Sequence, residues 1–186
     1  MTRRPCLRTW HNRLRDWQFA GMVLMPVIED TILIAAPAGS LFALSQDYAL
    51  RTAWDPFVRE MRFLDGAGKA GKGVRVSVRA WTGLTMEVEF VSFLPPRSVA
   101  MKMQRGPWFF RQFAGAWLFS DHAAGARVTF RYSFTTRWPR LRPFLDPIIA
   151  AMFRRDIRAR LRGLKHGAER ARLLERTPNA AVSLQT

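Results

Sequence analysis

Period two runs through the middle of this chain. In ARVTFRYSFTTR, Val128, Phe130, Tyr132 and Phe134 alternate with Thr129, Arg131, Ser133 and Thr135, the pattern of a strand with one dry face and one wet face. Six further segments read the same way. VIEDTILIA places Ile28, Ile32 and Ile34 on one parity with Asp30 as the exception, and EMRFL places Met61 with Phe63. GVRVSVRA sets Val74, Val76, Val78 and Ala80 against Arg75, Ser77 and Arg79, and LTMEVEFVSF sets Leu84, Met86, Val88 and Phe90 against Thr85, Glu87 and Glu89. SVAMKMQ gives Val99, Met101 and Met103, and Phe113, Trp117 and Phe119 share a parity across Gly115. The short connections DGAGKAGKG, WTG, LPPR and HAAGA suit antiparallel neighbours.

Two regions break this period. Between the first and second strands, Leu41, Phe42, Leu44, Leu50 and Trp54 suit two short helices ending near Pro56. After the last strand, Ile149, Phe153, Ile157, Leu161, Leu164, Ala168 and Ala171 recur every three or four residues, with arginines on most of the remaining surface. Asp146 followed by Pro147 reads as the cap and first turn of this helix, and Thr177-Pro178 as its end. At 1.5 Å per residue it would reach about 45 Å, enough to cross a sheet. Gly163 and Gly167 weaken its distal half, and either close packing or fraying would account for them. The expected architecture is α+β: a seven-stranded antiparallel curved sheet wrapped around a long C-terminal helix.

The sequence has 186 residues, 48% of them apolar, enough for one domain with its own core. The single cysteine, Cys6, offers no internal disulfide, and no apolar run approaches the roughly 20 residues that span a bilayer. The formal charge is +16: +4 in residues 1–26, +4 in 27–136 and +8 in 137–176. Such a surface attracts polyanions, whether RNA, a ribosome or an anionic membrane. TRRPCLR resembles a twin-arginine signal, but the residues after it are too polar for a signal core. Residues 1–26 are therefore read as a basic extension, or as lying upstream of a start at Met22 or Met25. Trp10, Leu14, Trp17 and Leu24, near one helical face, would suit a membrane surface. The expected plan is this extension, a domain over 27–176 and a tail over 177–186, in a cytoplasmic protein with peripheral access to membranes.

GPWFFRQFAGAWLF concentrates aromatic rings around Arg111. Readers of single-stranded nucleic acid expose such rings on an open sheet. Here the rings share a parity with Val, Met and Ile, and an amphipathic helix is available to cover that face. They are expected to point inward, with the arginines outside. An ordinary packed core and a binding cavity both fit the methionines of that face.

The segments IAAPAGSLFALSQDY, WDPFVREMRFLDG, GLTMEVEFVSFLPPRSVAMKM and GPWFFRQFAGAWLF, GARVTFRYSF and the basic terminal helix together resemble the SRPBCC superfamily over about residues 27–172. This is the START-like, Bet v1-like group with polyketide cyclase/dehydrase and coenzyme-Q-binding members. Ala126 stands where a threonine is commoner. The resemblance implies a helix-grip fold, with a long cavity between sheet and terminal helix for a lipid, isoprenoid, quinone, sterol or polyketide. Trp54, Met86, Phe90, Met101, Phe113, Trp117, Tyr132, Ile149, Met152 and Phe153 are the candidate cavity residues.

Catalytic signals are sparse. His11, His122 and His166 have no shared ligand spacing, so neither a metal nor another cofactor is expected. No GxSxG turn is present. Glu87 and Glu89 lie on the wet parity, where Arg75 and Arg79 would face them across the hairpin. Gly66, Gly68, Gly71 and Gly73 lack the helix that a phosphate loop needs. Tyr132 and Asp30 are the only inward polar pair on offer, Asp30 as a proton acceptor if buried. The first expectation is a non-enzymatic binder or carrier of an apolar molecule. The second is a polyketide cyclase or aromatase, and the third is a basic protein that docks on ribosomal RNA or an anionic membrane.

Overall fold

The computed structural model describes residues 26–176, with side chains as far as Ala171. Residues 1–25 and 177–186, which hold nearly all of the expected extension and the tail, lie outside the described residues. The order is β1 (Val27–Ile34), α1 (Ala38–Gln46), α2 (Tyr48–Trp54), β2 (Val58–Phe63), β3 (Arg75–Ala80), β4 (Thr85–Leu94), β5 (Ser98–Arg105), β6 (Phe110–His122) and β7 (Gly125–Thr136). A single 3-10 turn (Pro139–Leu141) then leads into α3 (Arg142–Arg176).

All seven strands form one antiparallel sheet in the order β1-β7-β6-β5-β4-β3-β2. The segment α1–α2 therefore carries the chain from one sheet edge to the other. Register keeps like parity together: Ile28 faces Tyr132, Trp117 faces Phe130 and Phe113 faces Phe134. This is the helix-grip fold, with the inner face covered by α3 and the short helices. Gly125 makes the β6–β7 turn at φ +129°, where a Cβ would press into Ile34 O and Ala35 Cα. Only glycine fits that closure.

The inward parity of the aromatic stretch holds for Phe113, Trp117 and Phe119, all buried, and a register shift between Phe110 and Gln112 brings Phe110 inward as well. Trp108 is the exception, 67% exposed. Trp117 stacks on Phe130 with ring centroids 4.0 Å apart, while Phe153 of α3 sits 5.4 Å from both Phe113 and Phe134. Each such pair contributes about 0.5–1.5 kcal/mol beyond its buried area. On the outer face, Glu89 does lie opposite Arg75, but Glu87 faces Ser77 and Arg79 faces Thr85. The ion pair of Arg75 goes to Asp65 instead, at 2.6 Å.

Helix ends follow local chemistry, with one correction. The Asp47 side chain caps α2, accepting from Ala49 N at 3.0 Å and Leu50 N at 3.1 Å. Asp146 does not cap α3, which begins four residues earlier at Arg142 and encloses Pro147. Pro143 occupies the first turn, where its missing amide costs no hydrogen bond. Asp146 Oδ1 accepts instead from Thr136 Oγ1 at 3.5 Å, tying the helix to the end of β7. At 35 residues α3 reaches about 52 Å. Its two glycines are explained by contact: a Cβ on Gly163 would collide with Trp54 O, and one on Gly167 would lie 2.9 Å from Trp54 Cβ. The helix backbone lies directly against the end of α2.

Candidate functional site

That close approach sets the geometry of a buried polar cluster. Arg51 lies on α2 and Asp55 caps its C-terminal end, so the pair is spaced i, i+4 and Arg51 Nε donates to Asp55 Oδ2 at 2.8 Å. Arg51 also donates through Nη1 to Ser45 O. From α3, Arg160 Nη2 donates to the same Asp55 oxygen at 2.8 Å. The second Asp55 oxygen accepts from Phe57 N at 3.1 Å. Arg160 Nη1 donates to the Tyr132 hydroxyl on β7, and that hydroxyl donates to Asp156 Oδ2 at 3.0 Å. The chain of contacts is thus Arg51–Asp55–Arg160–Tyr132–Asp156, crossing α2, α3 and the sheet.

The cluster is almost dry. Arg51 is 2% exposed, Asp55 1%, Tyr132 2% and Arg160 5%. Aromatic faces replace part of the lost hydration: the Arg51 guanidinium lies 4.6 Å from the Trp54 ring, and that of Arg160 lies 4.7 Å from Phe130 and 4.8 Å from Phe57. Burial by itself would raise the Asp55 carboxyl, but the Arg160 and Arg51 guanidiniums outweigh it and hold Asp55 below the ordinary carboxylate range. Burial raises Asp156, and Arg160 and the Tyr132 hydroxyl offset this only in part. Burial also pushes the Tyr132 phenol well up, so it stays a hydroxyl. Two guanidiniums therefore share one firmly ionised carboxylate, Asp55, while Asp156, hydrogen-bonded to the Tyr132 hydroxyl, takes a proton more readily than usual.

The cluster borders a largely apolar cavity. Arg51, Tyr132 and Arg160 line it together with Phe57, Val58, Met61, Val78, Met86, Val88, Met101, Phe113, Gly115 and Phe130. Its volume is about 40 Å³, little more than one water's share of liquid, so the long cavity that the resemblance implies is nearly closed here. Gly115 leaves room for the Tyr132 ring, since a Cβ there would sit 3.3 Å from it. A separate depression of about 200 Å³ lies on the outer sheet surface, among Glu60, Arg62, Ser77, Arg79, Gly83 and Thr85.

Of the candidate residues, Met86, Met101, Phe113 and Tyr132 line the interior cavity. Phe90 and Trp117 are fully buried and Trp54 is 8% exposed, all packed into the core beside it. Ile149 and Phe153 are half-buried against the core. Met152 is on the wrong side of α3, 64% exposed, because it falls about 100° from Phe153 around the helix. Asp30 does not meet Tyr132. It keeps the inner parity but pairs with Arg158 at 2.8 Å at the rim, and that hydrogen bond holds its carboxyl below the ordinary range. A solvated, already paired carboxylate of that kind is a poor proton acceptor.

The expectation that the arginines stay outside fails at Arg51 and Arg160. Sequence reasoning missed both, along with Asp55 and Asp156. A signal was present: Arg160 follows Ile157 by three residues and precedes Leu164 by four, which places it on the apolar stripe. The i, i+4 pair Arg51–Asp55 similarly lies on the face that carries Trp54.

The sequence matches the family described as polyketide cyclase/dehydrase and lipid transport over residues 25–169. The chain belongs to that family. Solved structures of the same fold include a START superfamily protein from Mycobacterium smegmatis, with TM-score 0.65 and 11% identity over 78% of this chain and 98% of that one. The Zhui aromatase/cyclase from a Streptomyces species aligns with TM-score 0.61 and 18% identity over 78% and 94% of the two chains. The di-domain ARO/CYC StfQ from the steffimycin biosynthetic pathway gives TM-score 0.64 and 17% identity over 87% and 54%. Comparison with curated proteins gave no match. At family level the chain is thus placed among hydrophobic-ligand binders and polyketide cyclases. No helix among the described residues is long and apolar enough to cross a membrane.

Proposed function

We propose that this protein binds an apolar small molecule carrying a polar oxygen-bearing head, such as a fatty acid, quinone or polyketide. Its apolar body would lie among the methionines and its head against Tyr132 and Arg160. The observation that carries this reading is the mixed lining of the cavity: the guanidiniums of Arg51 and Arg160 and the Tyr132 phenol share it with Met61, Met86 and Met101. Arg160 Nε is buried without an acceptor among the described residues. An unpaired buried donor costs about 1–3 kcal/mol, which a ligand oxygen would offset. The cavity must widen to admit such a molecule, and methionine side chains can do this by rotation about three bonds. Native mass spectrometry of the purified protein is expected to find a co-purifying apolar acid, quinone or ketone. A chain that arrives empty and gains no thermal stability from fatty acids, quinones or sterols would contradict the reading.

A second reading, a cyclase-type enzyme, is favoured by one specific observation. Tyr132 holds hydrogen bonds to both Arg160 and Asp156, so a proton donor and a cation converge where a ketone oxygen could develop charge. Turnover of a poly-β-ketone that is lost in Tyr132→Phe, with ligand affinity retained, would establish this reading. Binding without turnover leaves the carrier.

A further inference from the structure

The first turns of α3 bury one face and leave the opposite one apolar. Phe153 and Ile157 pack on the sheet, while Leu141 (48% exposed), Phe144 (73%), Ile148 (61%) and Met152 (64%) lie bare. At 100° per residue Phe144, Ile148 and Met152 fall within one arc of about 80° of α3, and Leu141 belongs to the 3-10 turn just before it. They form a stripe, opposite the one that packs on the sheet. Two tryptophans extend the stripe from the neighbouring loops. Trp108, 67% exposed, meets Trp138, 38% exposed, edge to face with centroids 5.1 Å apart. Elsewhere on the described surface the large apolar side chains that lie bare come at most two to an element, Val27 with Leu33 on β1 and Trp81 with Leu84 in the β3–β4 turn, whereas here six are grouped around the start of α3. A contiguous bare patch of this kind marks a contact surface.

Charge identifies the occupant. Between residues 137 and 155 the chain carries five arginines and one acid. That acid, Asp146, is already engaged by Thr136. Arg137, Arg140 and Arg155 are exposed beside the stripe, and Arg105 and Arg111 are exposed on the strands either side of Trp108. Bare tryptophan, phenylalanine and methionine rimmed by unopposed arginines match the boundary of an anionic bilayer, where indole rings sit at the headgroups and guanidiniums meet phosphate. A second copy of this chain would bring the same positive rim against itself, and an RNA would leave Phe144 and Ile148 with nothing to bury them.

We propose that the α3 stripe with Trp108 and Trp138 is a docking surface for anionic lipid bilayers. It uses none of Trp10, Leu14, Trp17 and Leu24, which the sequence reading gave as one alternative membrane contact, it gives the expected basic-exterior docking a defined surface, and it stands whether or not the cavity reading does. The test is co-sedimentation of the full chain with phosphatidylcholine vesicles, with and without about one-third phosphatidylserine. The wild type is expected to sediment with the phosphatidylserine vesicles alone and to be released by high salt. The double variant Phe144→Ser with Ile148→Ser is expected to lose at least about tenfold in partitioning, with an unchanged thermal melt because both side chains are exposed. Arg140→Gln with Arg155→Gln should weaken binding and flatten its salt dependence. Undiminished binding by the serine variant, indifference to phosphatidylserine, retention on RNA but not on vesicles, or a dimer that the serine variant dissolves would each overturn the proposal.

Discussion

Asp55 accepts hydrogen bonds from two guanidiniums that have lost nearly all their water, so it is the residue whose loss should cost most. Asp55→Ala would leave Arg51 and Arg160 repelling each other in the core, and breaking a buried pair from one side costs about 3–5 kcal/mol. Equilibrium denaturation at neutral pH should show a loss of that size; a loss below about 1 kcal/mol, the range of a solvated ion pair, would contradict the geometry. The pH dependence has a definite sign. Asp55 is held below its ordinary value of 3.8, so its stabilisation is complete above that pH. It is lost as pH falls through the depressed folded value. Asp156 acts in the opposite direction. Its folded pKa is raised above 3.8, so the native state holds this proton more tightly and stability falls as pH rises from 3.8 through the folded value. Denaturation measured across that range should show the upper limb flattened in Asp156→Asn, while the acid limb remains.

Helix α3 positions the cluster because its backbone, not its side chains, meets α2 at Gly163. The sheet itself was legible in the sequence: seven period-two segments and short turns gave strand number, parity and order of elements, because alternation directly encodes which face is dry. Gly163 was visible too, but a glycine in a helix reads equally as weakness or as close approach until a partner is placed opposite it. The cap at Asp146 misled for a related reason. Asp-Pro is a sound local signal, yet Thr136 lies within reach and the helix had room to begin a turn earlier. The site was the least legible part. Arg160 and Arg51 look like surface charge by residue type, and only the convergence of α2, α3 and β7 on Asp55 makes them interior. Substitution Gly163→Ala places a methyl group against a backbone oxygen that cannot move without displacing α2. A loss of about 1–3 kcal/mol is expected, read as a lower midpoint in denaturant. A gain in stability, as alanine gives in an unconstrained helix, would show that the two helices do not touch there.

In the molecule as a whole, a nearly closed apolar cavity and the charged cluster that borders it lie under α3, and a bare apolar stripe lies on the far side of that helix. The family match supports small-molecule binding in general, and the proposed contact of a ligand head with Tyr132 and Arg160 would narrow it to ligands with an oxygen-bearing head. Methionine labelling makes this directly observable. The chain has eight methionines, of which Met61, Met86 and Met101 line the cavity and Met152 stands on the outer surface. Carbon-13 methyl spectra recorded during titration with a medium-chain fatty acid, and separately with a short-tailed quinone, should show saturable shifts at Met86 and Met101, with Met152 unmoved. Spectra in which neither probe moves the cavity methyls, or in which only Met152 responds, would contradict the claim that this cavity binds a ligand.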